Sequence, residues 1–252
     1  MNNNQVIDYF CDASLGIIPL RGSCGGFVRH DRSKPVTESN YVELNVQPYG
    51  TNNSGELLAI MLAVQNAAKE YGNIPQQERP IINIFSDSKI SVMGIRAWLF
   101  KWPIIDGVFY TGTGTPVSNQ IYIKIIINTI VLNDLKVNFF HQKGHVGLKI
   151  GKAEETFHKS NHVTCMDIGV SPVYITSMND MIDRLTRDHI RSYQKIELRP
   201  GQYMEDLLYR VDDTADICYY KMDKNLIDRY RHLIGVTMSG YMNQTRKGEI
   251  GM

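Results

Sequence analysis

Three acids stand where the chain changes course. Asp12 follows the alternating stretch QVIDYFCD, Glu56 falls in the first turn of a helical pattern, and Asp87 ends the apolar run IINIF. Singly, each suits a cap or a solvated turn. Together they suit other chemistry. If the strands ending at Asp12 and Asp87 are neighbours and the helix bearing Glu56 packs on them, three carboxylates converge. Such groups repel unless a cation compensates, and hard divalent ions favour oxygen ligands. Two Mg²⁺ ions roughly 3.5–4 Å apart can activate a water and stabilise the leaving oxygen of a phosphodiester.

The elements that must position these acids follow from periodicity. Residues 5–12 read as a strand closed by Asp12. Gly22, Gly25 and Gly26 read as a turn before the second strand, GFVRH, and SNYVELNVQ alternates as a third. The period then lengthens: Leu57, Met61, Val64 and Ala68 form a helical stripe, with Asn53 or Ser54 as N-cap. The loop YGNIPQQERP leads to a fourth strand ending at Asp87, and a helix is expected from about Ser88 to Lys101. Trp98 and Trp102, at i,i+4, share a face of that helix and read first as core aromatics. After the turn-rich PIIDGVFYTGTGTPVSN comes QIYIKIIINTIVLND, isoleucine on nearly every side and therefore buried, and then a fifth strand, KVNFFH. Three strands, helix, strand, helices and strand make an α/β arrangement.

Composition sets bounds. The 252 residues are 43% hydrophobic with a formal net charge of +1, so a nucleic-acid partner would have to be met by a local patch. No apolar stretch is long enough to span a bilayer, and MNNNQVIDYF lacks a signal-peptide pattern. Cys11, Cys24, Cys165 and Cys218 are scattered, as expected of reduced thiols in the cytoplasm, or a host cytoplasm if the source is viral.

Six ordered motifs over residues 5 to 190 resemble type 1 ribonuclease H. Asp12-Ala13-Ser14 with Gly25-Gly26 resembles its first-strand aspartate and glycine-containing loop, and Thr51-Asn52-Asn53-Ser54-Gly55-Glu56-Leu57 its TNNxxEL signature. Asp87-Ser88 followed by Trp98 and Trp102 is similar to the DS…W…W segment, and Thr115-Pro116-Val117-Ser118-Asn119 to xPVxN. Gly144-His145 matches a GH pair, and Asn179-Asp180-Met181-Ile182-Asp183-Arg184-Leu185 resembles the closing NExADxL helix.

The resemblance implies a mixed five-stranded sheet, a three-strand antiparallel meander plus two further strands, flanked by helices. It implies cleavage of the RNA strand of an RNA–DNA hybrid with Mg²⁺ or Mn²⁺; nothing marks a reverse transcriptase portion, so a free-standing enzyme is the default expectation, with a monomer as the default state. Asp12, Glu56, Asp87 and Asp183 would be metal ligands, and His145 would shuttle protons near the leaving 3′ oxygen. Ser14, Gly25, Gly26, Asn52, Asn53, Trp98, Trp102 and Asn119 would contact substrate; carboxamides and glycine backbone can approach minor-groove edges and the 2′-OH. Another nuclease of related fold, or a non-catalytic nucleic-acid-binding module, would be the alternative.

Three features depart from the family. The segment PIIDGVFYTGTG has no lysine where the family's handle is lysine-rich, so its grip on phosphate should be weak. Residues 146–178 form an insertion, expected as an elaborated loop of a catalytic domain spanning 1–194. Within it, His158, His162 and Cys165 have zinc-like residue types but no second paired motif. Residues 195–252 form a C-terminal extension in which Tyr203, Tyr209, Tyr219, Tyr220 and Tyr230 mix with basic residues. Nearby aspartates balance that charge, so a packing role is expected there, with one helix near DKNLIDRYRHLIG.

Overall fold

The computed structural model describes residues 5–17, 21–36, 40–147, 149–193 and 222–235. Strands β1 (Val6–Gly16), β2 (Gly22–Asp31) and β3 (Tyr41–Pro48) form the antiparallel meander. Helix α1 (Asn52–Tyr71) leads to β4 (Ile81–Ser86), parallel to β1, and α2 (Lys89–Arg96) follows. Strands β5 (Ile104–Ile105) and β6 (Val108–Phe109) make a small hairpin, and α3 (Gln120–Leu132) precedes β7 (Val137–His141). Then come α4 (Ile150–Asn161), α5 (Pro172–Tyr193), α6 (Lys224–Leu233) and β8 (Ile234–Gly235). The main sheet has the order β3-β2-β1-β4-β7-β8.

The sheet therefore has six strands rather than the five expected. The sixth, Ile234–Gly235, comes from the C-terminal segment and runs parallel to β7. Two residues carry no readable alternation, and only a distant part of the chain gives them a partner.

Alternation along the strands assigns two cores. Ile7, Tyr9, Cys11, Ile82, Ile84, Val137 and Phe139 face α1, α3 and α6, whereas Phe10, Phe85 and Phe140 face α4 and α5. On the second face the register builds successive rows across β1, β4 and β7. Asp8, Asn83 and Asn138 form a buried polar row, with Asn83 Nδ2 donating to Asp8 Oδ1 at 2.9 Å and Asn138 Nδ2 to Asn83 Oδ1 at 3.0 Å. Phe10, Phe85 and Phe140 form the next row, stacked at 4.8 and 5.2 Å between centroids. One step further lie Asp12, Asp87 and Gln142.

Several local expectations are corrected. β1 does not close at Asp12 but continues to Gly16, because β2 keeps pairing after β4 has ended. Gly25 and Gly26 are not a turn; both lie inside β2. They are glycine because neighbours come close: a Cβ on Gly25 would stand 2.4 Å from the Gly55 carbonyl, and one on Gly26 2.6 Å from that of Glu43. The cap of α1 is Thr51, in a capping box with Ser54, not Asn53 or Ser54. The helix after Asp87 stops at Arg96, and Trp98–Lys101 is a 3₁₀ turn, so Trp98 and Trp102 share no α-helical face.

The segment 146–178, expected as an elaborated loop, is largely helical among its described residues. α4 fills much of it, and α5 begins at Pro172, which suits the first helical position, so Asn179 is an interior, buried residue of that helix. The C-terminal helix forms where expected, and Met222, Ile227, Tyr230, Leu233 and Ile234 join the main core. Tyr203, Tyr209, Tyr219 and Tyr220 lie outside the described residues. No described helix is long and apolar enough to cross a membrane.

Candidate active site

The last β1–β4 pair is Cys11 with Ser86, so Asp12 and Asp87 emerge side by side where β4 ends. Helix α1 approaches this point closely, since a Cβ on Gly55 would lie 2.9 Å from that of Ala13. The next residue, Glu56, is thereby carried in. Carboxylate oxygens of Asp12, Glu56 and Asp87 all lie within 4.8 Å of one another. Among the described residues this is the group of acids, histidines and cysteines with metal-site spacing.

The electrostatics are those of crowded, dehydrated acids. Burial first, and then the Asp87 charge, push Asp12 up to about 8, although the Ala13 N–H donates to its Oδ1 at 2.7 Å. Burial also raises Glu56 well above its usual range, with Asp12 and Asp87 adding to the effect and the Ser86 hydroxyl opposing it. Asp87 is raised by burial and Asp183, and lowered by His145. Glu56 is 3% exposed, and its Oε2 has no hydrogen-bond partner. A buried, unpartnered carboxylate oxygen beside two further acids fits a hard divalent cation such as Mg²⁺ or Mn²⁺.

The remaining residues occupy distinct places. Asp183, in mid-α5, is outside the close triple; its Oδ2 pairs with Arg187 and stands 3.8 Å from His145 Nδ1. His145 is exposed, with a left-handed backbone (φ 51°). Ser14 Oγ lies 3.1 Å from Thr186 Oγ1, joining β1 to α5 beside Asp183. Asn52 and Asn53 are exposed at the start of α1, and Gly25 and Gly26 are buried beneath it and β3. Asn53, Trp98, Trp102 and Asn119 line one cavity of about 190 Å³. Trp98 is 39% exposed, so it is not the core aromatic expected, while Trp102 packs on Phe109 at 5.8 Å between centroids. His158 and His162 are exposed and Cys165 is buried, and the three do not form a metal group. Asp167 accepts from Thr164 in its own turn.

Sequence reasoning missed three residues here, Ser86, Gln142 and Arg187, and gave Gly144 only as half of the GH pair. Ser86 supports Glu56, and Gln142 donates to Asn179 Oδ1 at 2.5 Å. Both sit at register positions beside Asp12 and Asp87, a signal available only once the strands are aligned. Arg187 was signalled by its i+4 spacing from Asp183. Gly144 is required by Asp87, because a Cβ there would stand 2.0 Å from Asp87 Oδ2.

A family model described as RNase H matches residues 4–161, more than half the chain, and the protein belongs to the RNase H family. Helix α5, with Asp183, lies beyond the matched span. No curated protein matches the chain. Among solved structures it is similar to LC11-RNase H1 in complex with RNA/DNA hybrid, at 11% identity and TM-score 0.40, over 61% of this chain and 98% of that one. LC9-RNase H1, a type 1 RNase H with the type 2 active-site motif, is 16% identical with TM-score 0.43, over 82% and 92%. RNase H1 from the halophilic archaeon Halobacterium salinarum NRC-1 is 12% identical with TM-score 0.36, over 60% and 92%.

Proposed function

We propose that this protein is a divalent-metal-dependent endonuclease that hydrolyses the RNA strand of RNA–DNA hybrids. The observation that carries the reading is the meeting of Asp12, Glu56 and Asp87 within 4.8 Å in a domain of the RNase H family. These three carboxylates, with Asp183 at the rim, would hold Mg²⁺ or Mn²⁺. When bound, the ions supply the charge that activates a water and stabilises the departing oxygen.

The chain's own groups do the rest. Burial of Asp12 and Glu56 keeps these two carboxylates dehydrated, so little solvent reorganisation accompanies charge development beside them. Asn52 and Asn53 present exposed carboxamides at the start of α1, suited to hydrogen bonding with ribose hydroxyls. The cavity lined by Asn53, Trp98, Trp102 and Asn119 offers an apolar wall with polar edges for the DNA strand. His145, exposed at a positive-φ position beside Asp183, can give a proton to the leaving 3′ oxygen. The hairpin between Pro103 and Gly114 contains no lysine, with exposed Lys101 just before it and Lys124 fully buried, so the grip on the DNA backbone through this hairpin itself is weak.

Cleavage of end-labelled hybrid, duplex DNA and duplex RNA, with Mg²⁺, Mn²⁺ or chelator, tests the reading. The expected result is metal-dependent cutting of the RNA strand of the hybrid alone. Equal cutting of duplex DNA would assign another nuclease activity, and binding without cutting under every metal condition would assign a non-catalytic module.

A further inference from the structure

The carboxylate outside the close triple has a cation of its own. Arg187 follows Asp183 by one helical turn and pairs with it through Nη2 and Oδ2. The influence of that guanidinium reaches Asp12, which it pulls in the opposite sense to Asp87 and Asp183. Arg187 therefore supplies positive charge to Asp183 directly and to Asp12 at longer range. The inner group is different: Glu56 Oε2 has no hydrogen-bond partner there.

We propose that Arg187 is a resident counter-ion that competes with a divalent cation for Asp183. The inference rests on the metal-dependent reading above. The cluster then fills in two unequal stages, at Asp12, Glu56 and Asp87 first, and on the Asp183 side only as Arg187 lets go.

Two observations favour competition over a positioning role. First, the Asp183 backbone is held without Arg187, so the position of the side chain on the helix does not depend on the pair. Neighbouring Ile182 is fully buried, and Thr186 Oγ1 bonds both the Asp183 carbonyl, at 3.2 Å, and Ser14, at 3.1 Å. Second, the Arg187 side chain is 42% exposed against 15% for Asp183. The guanidinium can move into water when displaced, which keeps its removal moderate in cost. An i,i+4 pair re-forms whenever the helix is intact, so the competition is always present.

Calorimetric titration of Mn²⁺ into the full chain, without substrate, tests this in the wild type, Arg187→Gln, Arg187→Lys and Asp183→Asn. In Arg187→Gln the outer class should tighten by about three- to tenfold or become visible for the first time, and the inner class, which Arg187 reaches only through Asp12, should change by less than that. Arg187→Lys, which keeps the charge, should stay near wild type, and Asp183→Asn should abolish the outer class. The Mn²⁺ midpoint for cleavage by Arg187→Gln should fall by a similar factor. Weaker or unchanged outer binding in folded Arg187→Gln, with the inner class intact, overturns this inference alone. A wild type that binds no Mn²⁺ at all overturns the metal-dependent reading with it.

Discussion

Asp87 meets two constraints at once: it must follow the last paired residue of β4, and it must leave room for Gly144. Asp87→Asn keeps the volume but offers a poor ligand to a hard cation, so a folded variant without measurable cleavage at any Mg²⁺ concentration is expected. Asp183→Asn should weaken Mg²⁺-dependent cleavage far more than Asp167→Asn, because Asp183 borders Asp12 and Asp87 whereas Asp167 caps its own turn. Parallel turnover assays of the two variants decide between them. The pH dependence follows from protons. Folding raises Asp12 to about 8, whereas an aspartate in the unfolded chain titrates near about 4. Between these limits the metal-free native state binds the extra proton, so this contribution to stability is full at low pH and is lost as pH rises through the folded value. Melts in chelator should show a steeper fall with rising pH for the wild type than for Asp12→Asn. Added Mg²⁺ should raise the melting temperature more at about pH 8 than at about pH 5. Identical pH slopes for the two proteins would contradict the assignment.

At the scale of elements, the site depends on how closely α1 lies on β2 and how the chain turns after β7. Gly25→Ala inserts a methyl 2.4 Å from the Gly55 carbonyl, which is helix backbone and can yield only if α1 lifts. A loss of about 1–3 kcal/mol in urea unfolding is expected, together with weaker divalent binding because Glu56 moves with the helix. Gly144→Ala acts differently. Its methyl meets the Asp87 carboxylate rather than backbone, so the side chain gives way and the fold survives. Cleavage should drop by roughly a hundredfold with little change in the unfolding midpoint, the usual effect of displacing a reacting group by about 1 Å. Kinetics and urea melts on the same preparation separate the two outcomes.

On the scale of the whole molecule, residues 222–235 of the C-terminal segment are part of the main core and sheet. Tyr230 is fully buried, its hydroxyl donates to the Ile95 carbonyl at 2.9 Å, and β8 covers the edge of β7. Arg96 makes a matching tie, reaching Phe139 O at 2.9 Å and Asn161 Oδ1 and Ser160 O at 2.8 Å, and so joins α2, β7 and the end of α4. Tyr230→Ala should cost about 3–5 kcal/mol, as for other large buried aromatics. Equilibrium unfolding measures it, and a change below about 1 kcal/mol would show that α6 adds little to the core.

By itself the sequence determined what local pattern can encode. Alternation marked β1 and β3, the longer period marked α1, isoleucine on nearly every side marked α3 as buried, and the abrupt end of the apolar run IINIF set Asp87 at a strand terminus. The acids were legible because a carboxylate directly after an apolar run is locally conspicuous. Tertiary structure decided everything that needs two distant segments at once. Gly25 and Gly26 read as a turn because glycine is a turn former, and only the approach of α1 and β3 explains them inside a strand. Trp98 read as core because its helix was assumed to continue, yet the helix stops at Arg96 and leaves the ring on a cavity wall. Gln142 beside Asp87, Arg187 beside Asp183 and the two-residue β8 beside β7 each gain meaning from a neighbour far along the chain or from a shared site. Periodicity reports which face a residue presents; register and packing decide what that face meets.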